Sequence, residues 1–236
     1  MCPRSPAALT ATDAADHALV TTGRKPAEPV AYGIRVNPAQ CDAARSVWPA
    51  ILTWRAHDIS RMESVRVQVS GKRIKANGQI VAAAAETNPA FHAYYDLQTD
   101  ETGATKRIGL TVTLAERERQ LSIARDEENM WLVTDHRGES RAGYNGALDV
   151  DVVFSPFFNA LAIRRTGLHQ RPDSITLPMV YVSLPDMSVR AATVSYSNAD
   201  SRSLEQIEVK SPVADTTLNI DADGFIVDYP GLAERI

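Results

Sequence analysis

From Trp54 onward the chain alternates apolar and polar residues. In Glu-Ser-Val-Arg-Val-Gln-Val (63–69), Val65, Val67 and Val69 fall on one side and Arg66 and Gln68 on the other. In 107–115, Ile108, Leu110, Val112 and Leu114 share a face opposite Thr111 and Thr113. A period of two marks half-buried antiparallel strands. Further strands are predicted at 91–98, 120–125, 130–135, 176–184, 187–197, 204–210, 217–221 and 225–229. Turn-forming residues punctuate the runs at Asn77-Gly78, Glu101-Thr102-Gly103, Glu127-Glu128-Asn129 and Asp223-Gly224. Strands and helices do not alternate, so the pattern predicts a mainly β, antiparallel protein.

One stretch departs from this texture. Ser155 suits an N-cap, Pro156 suits the first helical position, and Gly167 suits the left-handed position after the end. Arg164 and Arg165 fall in the last turn, where cations complement the helix dipole. Between the ends stand Phe157, Phe158, Ala160, Leu161, Ala162 and Ile163, with Asn159 the one polar residue. At 100° per residue these apolar side chains cover nearly the whole circumference, and a helix apolar all round must be buried all round. In a protein of strands, that predicts a sheet curled around a single central helix at about 155–167.

Residues 1–36 show little periodicity and read as a flexible N-terminal extension. Asn-Pro-Ala-Gln-Cys-Asp-Ala-Ala-Arg-Ser-Val (37–47) reads as a short helix capped by Asn37 and stopped at Pro49. The expected organisation is therefore an extension, a short peripheral helix with its linker over 37–53, and a β domain over 54–236.

Composition narrows the function. The 236 residues are 44% hydrophobic, enough for a substantial core, and carry a net charge of −4 with acids and bases interspersed. That balance argues against nucleic acid as a partner. Cys2 and Cys41 form no disulfide framework and have no zinc-type spacing. No apolar run is long enough to span a membrane, and the first residues lack a secretory pattern, so the expected location is cytoplasmic. The five histidines show no metal-binding spacing, and the chain has no nucleophile elbow, P-loop or dinucleotide fingerprint. No cofactor and no metal are expected.

Two segments carry a family likeness. Asp149-Val150-Asp151, Pro156, Asn159, Leu161, Ile163, Arg164 and Arg165, followed by Asp221, Asp223, Gly224, Val227, Asp228, Tyr229, Pro230 and Gly231, resemble the paired motifs of the putative glycolipid-binding family of bacterial proteins. Trp54, Tyr95, Asp96, Trp131 and Tyr196 extend the likeness over roughly 54–236. The resemblance implies a spiral β-roll around one helix, a homodimer, and kinship in shape with lipid carriers built as half-open barrels. Ala162 stands where that family usually has proline, which predicts a more regular helix.

Several residues are candidates for chemistry. Asp149 and Asp151 lie two apart on a strand and face the same way, with Cβ atoms about 6.5–7 Å apart. They could pair with Arg164 or Arg165, contact a polar ligand, or act as acid and base on a glycosidic bond. If structural, replacing either by Asn should lower stability. The two arginines could recognise an anionic head group or simply close the helix end. Asn159 should find a backbone partner when buried. Trp131, Tyr94 and Tyr95 could line a sugar or lipid site, or pack in the core. Asp221–Gly224 lacks the remaining ligands of a calcium loop and reads as a hairpin turn. In 225–230, Phe225, Val227 and Tyr229 should share the core face.

Three functions follow. The first is a non-enzymatic binding protein that holds a lipid or glycolipid between sheet and helix, oriented by Asp149, Asp151, Asn159, Arg164, Arg165, Trp131 and Tyr95. The alternatives are a hydrolase acting through Asp149 and Asp151, and a dimerisation module without a small ligand. A cavity of at least about 300 Å³ beside the helix is a condition of the first.

Overall fold

The computed structural model describes residues 48–57, 59–86, 88–199 and 203–236. The extension and the helix expected at 37–47 lie outside them. Eight consecutive strands open the described chain: β1 (Ala50–Ala56), β2 (Arg61–Ser70), β3 (Arg73–Ala82), β4 (Phe91–Thr99), β5 (Thr105–Leu114), β6 (Arg117–Arg125), β7 (Trp131–Asp135) and β8 (Gly138–Ala142). Each pairs antiparallel with the next. The chain then forms β9 (Asp149–Val152) and α1 (Pro156–Thr166). It returns through β10 (Ser174–Val182), β11 (Val189–Ser197), β12 (Gln206–Lys210), β13 (Asp215–Ile220), β14 (Ile226–Tyr229) and β15 (Ala233–Arg235). Pairing of β1 with β15 joins the two runs into one sheet of 15 strands, with β8 and β9 at its unpaired edges. The result is a mainly β chain with one long, curled, unclosed sheet and a single α-helix among the described residues.

Topology explains the helix. β9 and β10 form the one parallel pair among the described residues, and parallel neighbours need a crossover that a hairpin cannot supply. α1 is that crossover. Pro156 through Ile163 are all buried, as an apolar circumference requires. Phe157, Phe158, Ala160 and Leu161 join one apolar cluster with strands β1–β7, while Ala162 and Ile163 join a second with β10–β14. With Ala162 in place of proline, the helix runs without interruption.

The alternation predicts most strands correctly, and its failures have local causes. Asn77-Gly78 is not a turn: both residues lie inside β3, paired with Arg66 and Val65 on one side and Asp96 and Tyr95 on the other. The hairpin turn falls at Gly71-Lys72 instead. Gly78 is needed because a Cβ there would lie 2.1 Å from the Tyr95 ring. Strand β8 carries no apolar period. The first strand starts at Ala50, ahead of Trp54. The expected alternation at 225–229 also slips: Phe225, Ile226 and Tyr229 are buried and Val227 is only half-buried. A register shift against Asn219–Ile220 inserts an extra residue there, and a bulge moves every later side chain to the other face.

Candidate functional site

The site grows from the end of β9. Asp149 and Asp151 share one face, Val150 and Val152 the other, and all four are buried. Sheet register sets Asp151 beside Tyr181. After β9 the chain turns sharply through Phe154, whose φ of +75° is costly for a side chain of that size. Ser155 follows in an extended conformation at the N-cap position.

Ser155 does not cap its own helix. Its hydroxyl donates to Glu63 Oε1 on β2, which also accepts the Tyr95 hydroxyl at 2.6 Å. Burial pushes the Glu63 carboxyl up to about 7, against the hydrogen bonds from Ser155, Tyr95 and the Phe157 amide, which favour its charged form. Glu63 Oε2 has no partner. A carboxylate from a distant strand thus sits at the positive end of α1. The sequence reading missed it, although Glu63 stands in phase with Val65 and Val67 and so had to face inward.

The two aspartates take different environments. Arg165 grips both oxygens of Asp149, Nε at 3.0 Å from each and Nη2 at 2.6 Å from Oδ2. Burial still holds the Asp149 carboxyl above its usual range, with Arg165 working against it. Asp151 has no cation within ion-pair distance among the described residues. Burial pushes its carboxyl up to about 7. Arg164 reaches neither acid: it donates to the Asp223 carbonyl and lies 4.6 Å over the Phe225 ring.

A cavity of about 580 Å³ opens beside the first turn of α1. Asp151, Ser155, Asn159 and Tyr181 line it together with Val213, Ala214, Tyr229 and Leu232. Most of its wall is apolar, with a few convergent polar groups, the usual make-up of a small-molecule site. The Tyr181 hydroxyl is buried without a hydrogen-bond partner among the described residues, and burial together with the Asp151 charge pushes it up to about 12. Asn159 Oδ1 accepts from the Tyr196 hydroxyl at 3.0 Å, so its partner is a side chain and not the expected backbone group.

The other candidate residues lie elsewhere. Trp131 is fully enclosed and donates to the Ala147 carbonyl at 2.9 Å. Tyr95 is fully enclosed against Glu63, and neither ring lines the cavity. Tyr94 is exposed on the outer face. The Asp149–Arg165 pair and Arg164 also lie outside the lining. Asp221–Gly224 forms the expected turn, its Asp221 side chain accepting from the amides of Asp223 and Phe225 and from Arg235.

A wider hollow of about 830 Å³ lies over β1–β3, lined by Ile59, Met62 and Val81 with Arg55 and Arg61. Its ionisable groups are already engaged: Arg55 with Glu234, and Arg61 with the Leu232 carbonyl at 3.2 Å. The smaller cavity therefore holds the unspent chemistry. Among the described residues no group of three or more His, Cys, Asp or Glu side chains could hold a metal, and no helix is long and apolar enough to cross a membrane.

The sequence profile of a family described as putative glycolipid-binding matches residues 51–235. The fold resembles the crystal structure of a DUF1089 family protein from Pseudomonas aeruginosa, with a TM-score of 0.60 and 21% identity over 78% of this chain and 95% of that one. No curated protein matches the chain.

Proposed function

The chain belongs to the putative glycolipid-binding family, and from that premise we propose that it is a binding protein that holds the head and first part of the tail of a lipid or glycolipid in the cavity beside α1. The observation that carries this reading is the cavity itself. At about 580 Å³ it lies within the usual range of small-molecule sites, and it joins apolar walls to Asp151, Asn159 and Tyr181. Phe154, Val213 and Leu232 would flank the tail and the three polar residues the head.

Acid–base chemistry by the two aspartates is the weaker reading. The two carboxyls of a glycosidase flank the same scissile bond, whereas Asp151 lines the cavity and Asp149, held by Arg165 through three hydrogen bonds, lies outside it. The proposed role is therefore binding, without hydrolysis through this acid pair.

Native mass spectrometry of the purified chain, with organic extraction of the same sample, tests the reading. A bound amphiphile in the extract is expected, and its loss in Ala214→Trp, which fills the cavity. A clean extract together with no uptake of added lipid would leave the dimerisation module as the better account. The same spectrum reads the assembled mass, where twice the chain mass is expected from the dimer that the family resemblance implies.

A further inference from the structure

An acid pair on one strand face with a single arginine between them leaves one acid over. Asp149 takes Arg165 through three hydrogen bonds, and Asp151 keeps its carboxyl in the cavity wall. Around Asp151 stand Tyr181 from β10, Tyr196 from β11 and Tyr229 from β14, all phenols and none a cation. Arg190 is the nearby guanidinium, but it stacks on the Tyr181 ring from the exposed side, 4.5 Å from its centre. Asp215, at the rim, is a second acid, loosely paired with Lys210 at 3.7 Å. Among the described residues, neither lysine, arginine nor histidine lines the cavity.

That electrostatic balance selects among head groups. An anionic head would meet a carboxylate with no cation in the lining among the described residues, and like charges close together in a partly buried cleft repel. A cation would supply the counter-ion that the fold withholds from Asp151. The Tyr181 hydroxyl, buried and without a partner in the same wall, is the complementary group for a neighbouring hydroxyl or ammonium hydrogen. We propose that the ligand of this cavity carries an ammonium group, seated against the Asp151 carboxylate beside Tyr181 and Tyr229, as in the head of an aminosugar lipid or another amine-bearing amphiphile. The inference rests on the cavity being an amphiphile site, as proposed above.

Titration follows from the same groups. Asp151 in the empty cavity titrates at about 7, so binding of an ammonium near or below that pH must expel a proton from it. Among the described residues, the groups facing it are the three phenols, which stay neutral in this range, the fixed Asp149–Arg165 pair, Arg190 beyond Tyr181, and Asp215 at the rim. Behind the wall stand Glu63, which also titrates at about 7 and is bonded to Ser155, and Arg61, held against Phe154 and the Leu232 carbonyl. Affinity for an ammonium should be level above about pH 7 and fall by about tenfold per unit below it.

The test is calorimetric titration of the delipidated full chain with dodecylammonium, dodecyl glucoside, dodecyl glucosaminide and dodecyl phosphate, each below its micelle concentration, at pH 8 and pH 6. The expected result is one-to-one binding of the two amine probes at least tenfold tighter than dodecyl glucoside at pH 8, with no binding of the phosphate. Tighter dodecyl glucosaminide than dodecylammonium would mark an aminosugar head, and equal affinities a simple amine. Asp151→Asn, which keeps the shape and removes the charge, should erase the preference for the amine probes over dodecyl glucoside. Since a cationic amphiphile adheres to any acidic surface, loss of the one-to-one event in Ala214→Trp is part of the expected result. Equal or tighter binding of dodecyl glucoside by the unmodified chain would overturn the ammonium assignment and leave the amphiphile site standing. So would an amine preference that survives Asp151→Asn. Failure of all four probes would overturn both.

Discussion

At the scale of single residues, Asp149 and Asp151 show how identical side chains two positions apart acquire opposite energetics. Asp149 is a buried acid whose partner is fixed by three hydrogen bonds, so Asp149→Asn strands Arg165 and should destabilise the fold by about 3 kcal/mol, read by chemical denaturation. Asp151 is a buried acid without a counter-ion among the described residues. Its folded carboxyl titrates at about 7 against an ordinary 3.8, so the folded state holds the proton longer than the unfolded one. That contribution to stability is complete below about pH 4 and is lost as pH rises through about 7. Asp151→Asn removes the titration. The variant should therefore match or exceed the parent in stability, with an advantage larger at pH 8 than at pH 5 by about 2–3 kcal/mol. Denaturation curves for both proteins at the two pH values check this. An advantage that shrinks towards pH 8 would contradict the burial argument. The expectation that both Asn replacements lower stability thus divides in two.

At the scale of elements, α1 is positioned by a strand remote in sequence. Ser155 has the identity and the dihedrals of an N-cap, yet its hydroxyl serves Glu63, 92 residues away. Glu63→Leu would leave the Ser155 and Tyr95 hydroxyls buried without an acceptor and should cost about 2–4 kcal/mol. Glu63→Gln retains the acceptor and should cost far less, so a thermal melt of the two variants separates hydrogen bonding from packing. Gly78 belongs to the same arrangement. The phenol end of the Tyr95 ring lies where a Cβ of Gly78 would be, held at its hydroxyl by Glu63. Gly78→Ala should therefore destabilise by about 2 kcal/mol or more, although alanine suits a strand at least as well as glycine does. Turn chemistry misread this position because Asn-Gly favours hairpins when only neighbours in sequence are considered. The side chain that needs the glycine comes from the next strand.

At the scale of the whole molecule, the sheet becomes continuous only when its last strand finds its first. β15 pairs Arg235 with Trp54 and Ala233 with Ala56, while the Trp54 indole donates to the Ile226 carbonyl at 2.9 Å. Deleting residues 233–236 would expose the edges of β1 and β14 together. Unpaired edges invite association, so the truncated chain should aggregate on heating at a lower temperature than the full chain, as light scattering would show. The same closure sets the cavity, whose wall draws on β9, α1, β10, β13 and the β14–β15 turn. No one of these elements forms the site alone.

The amino-acid order by itself determined the class of fold and the enclosed helix, because both follow from periodicities of two and 3.6 that any burial must respect. It also placed Asp151 and Asn159 among the candidates, through the motif around β9 and α1. Which aspartate would receive the arginine was decided only in three dimensions. Arg164 and Arg165 point about 100° apart on the helix, and α1's orientation between β9 and the 221–225 turn sends one to Asp149 and the other to the Asp223 carbonyl. The cap from Glu63, the glycine beneath Tyr95 and the bulge at Val227 were hidden for the same reason. Each is a pairing between residues far apart in the chain, and local pattern carries no record of which distant side chain will arrive.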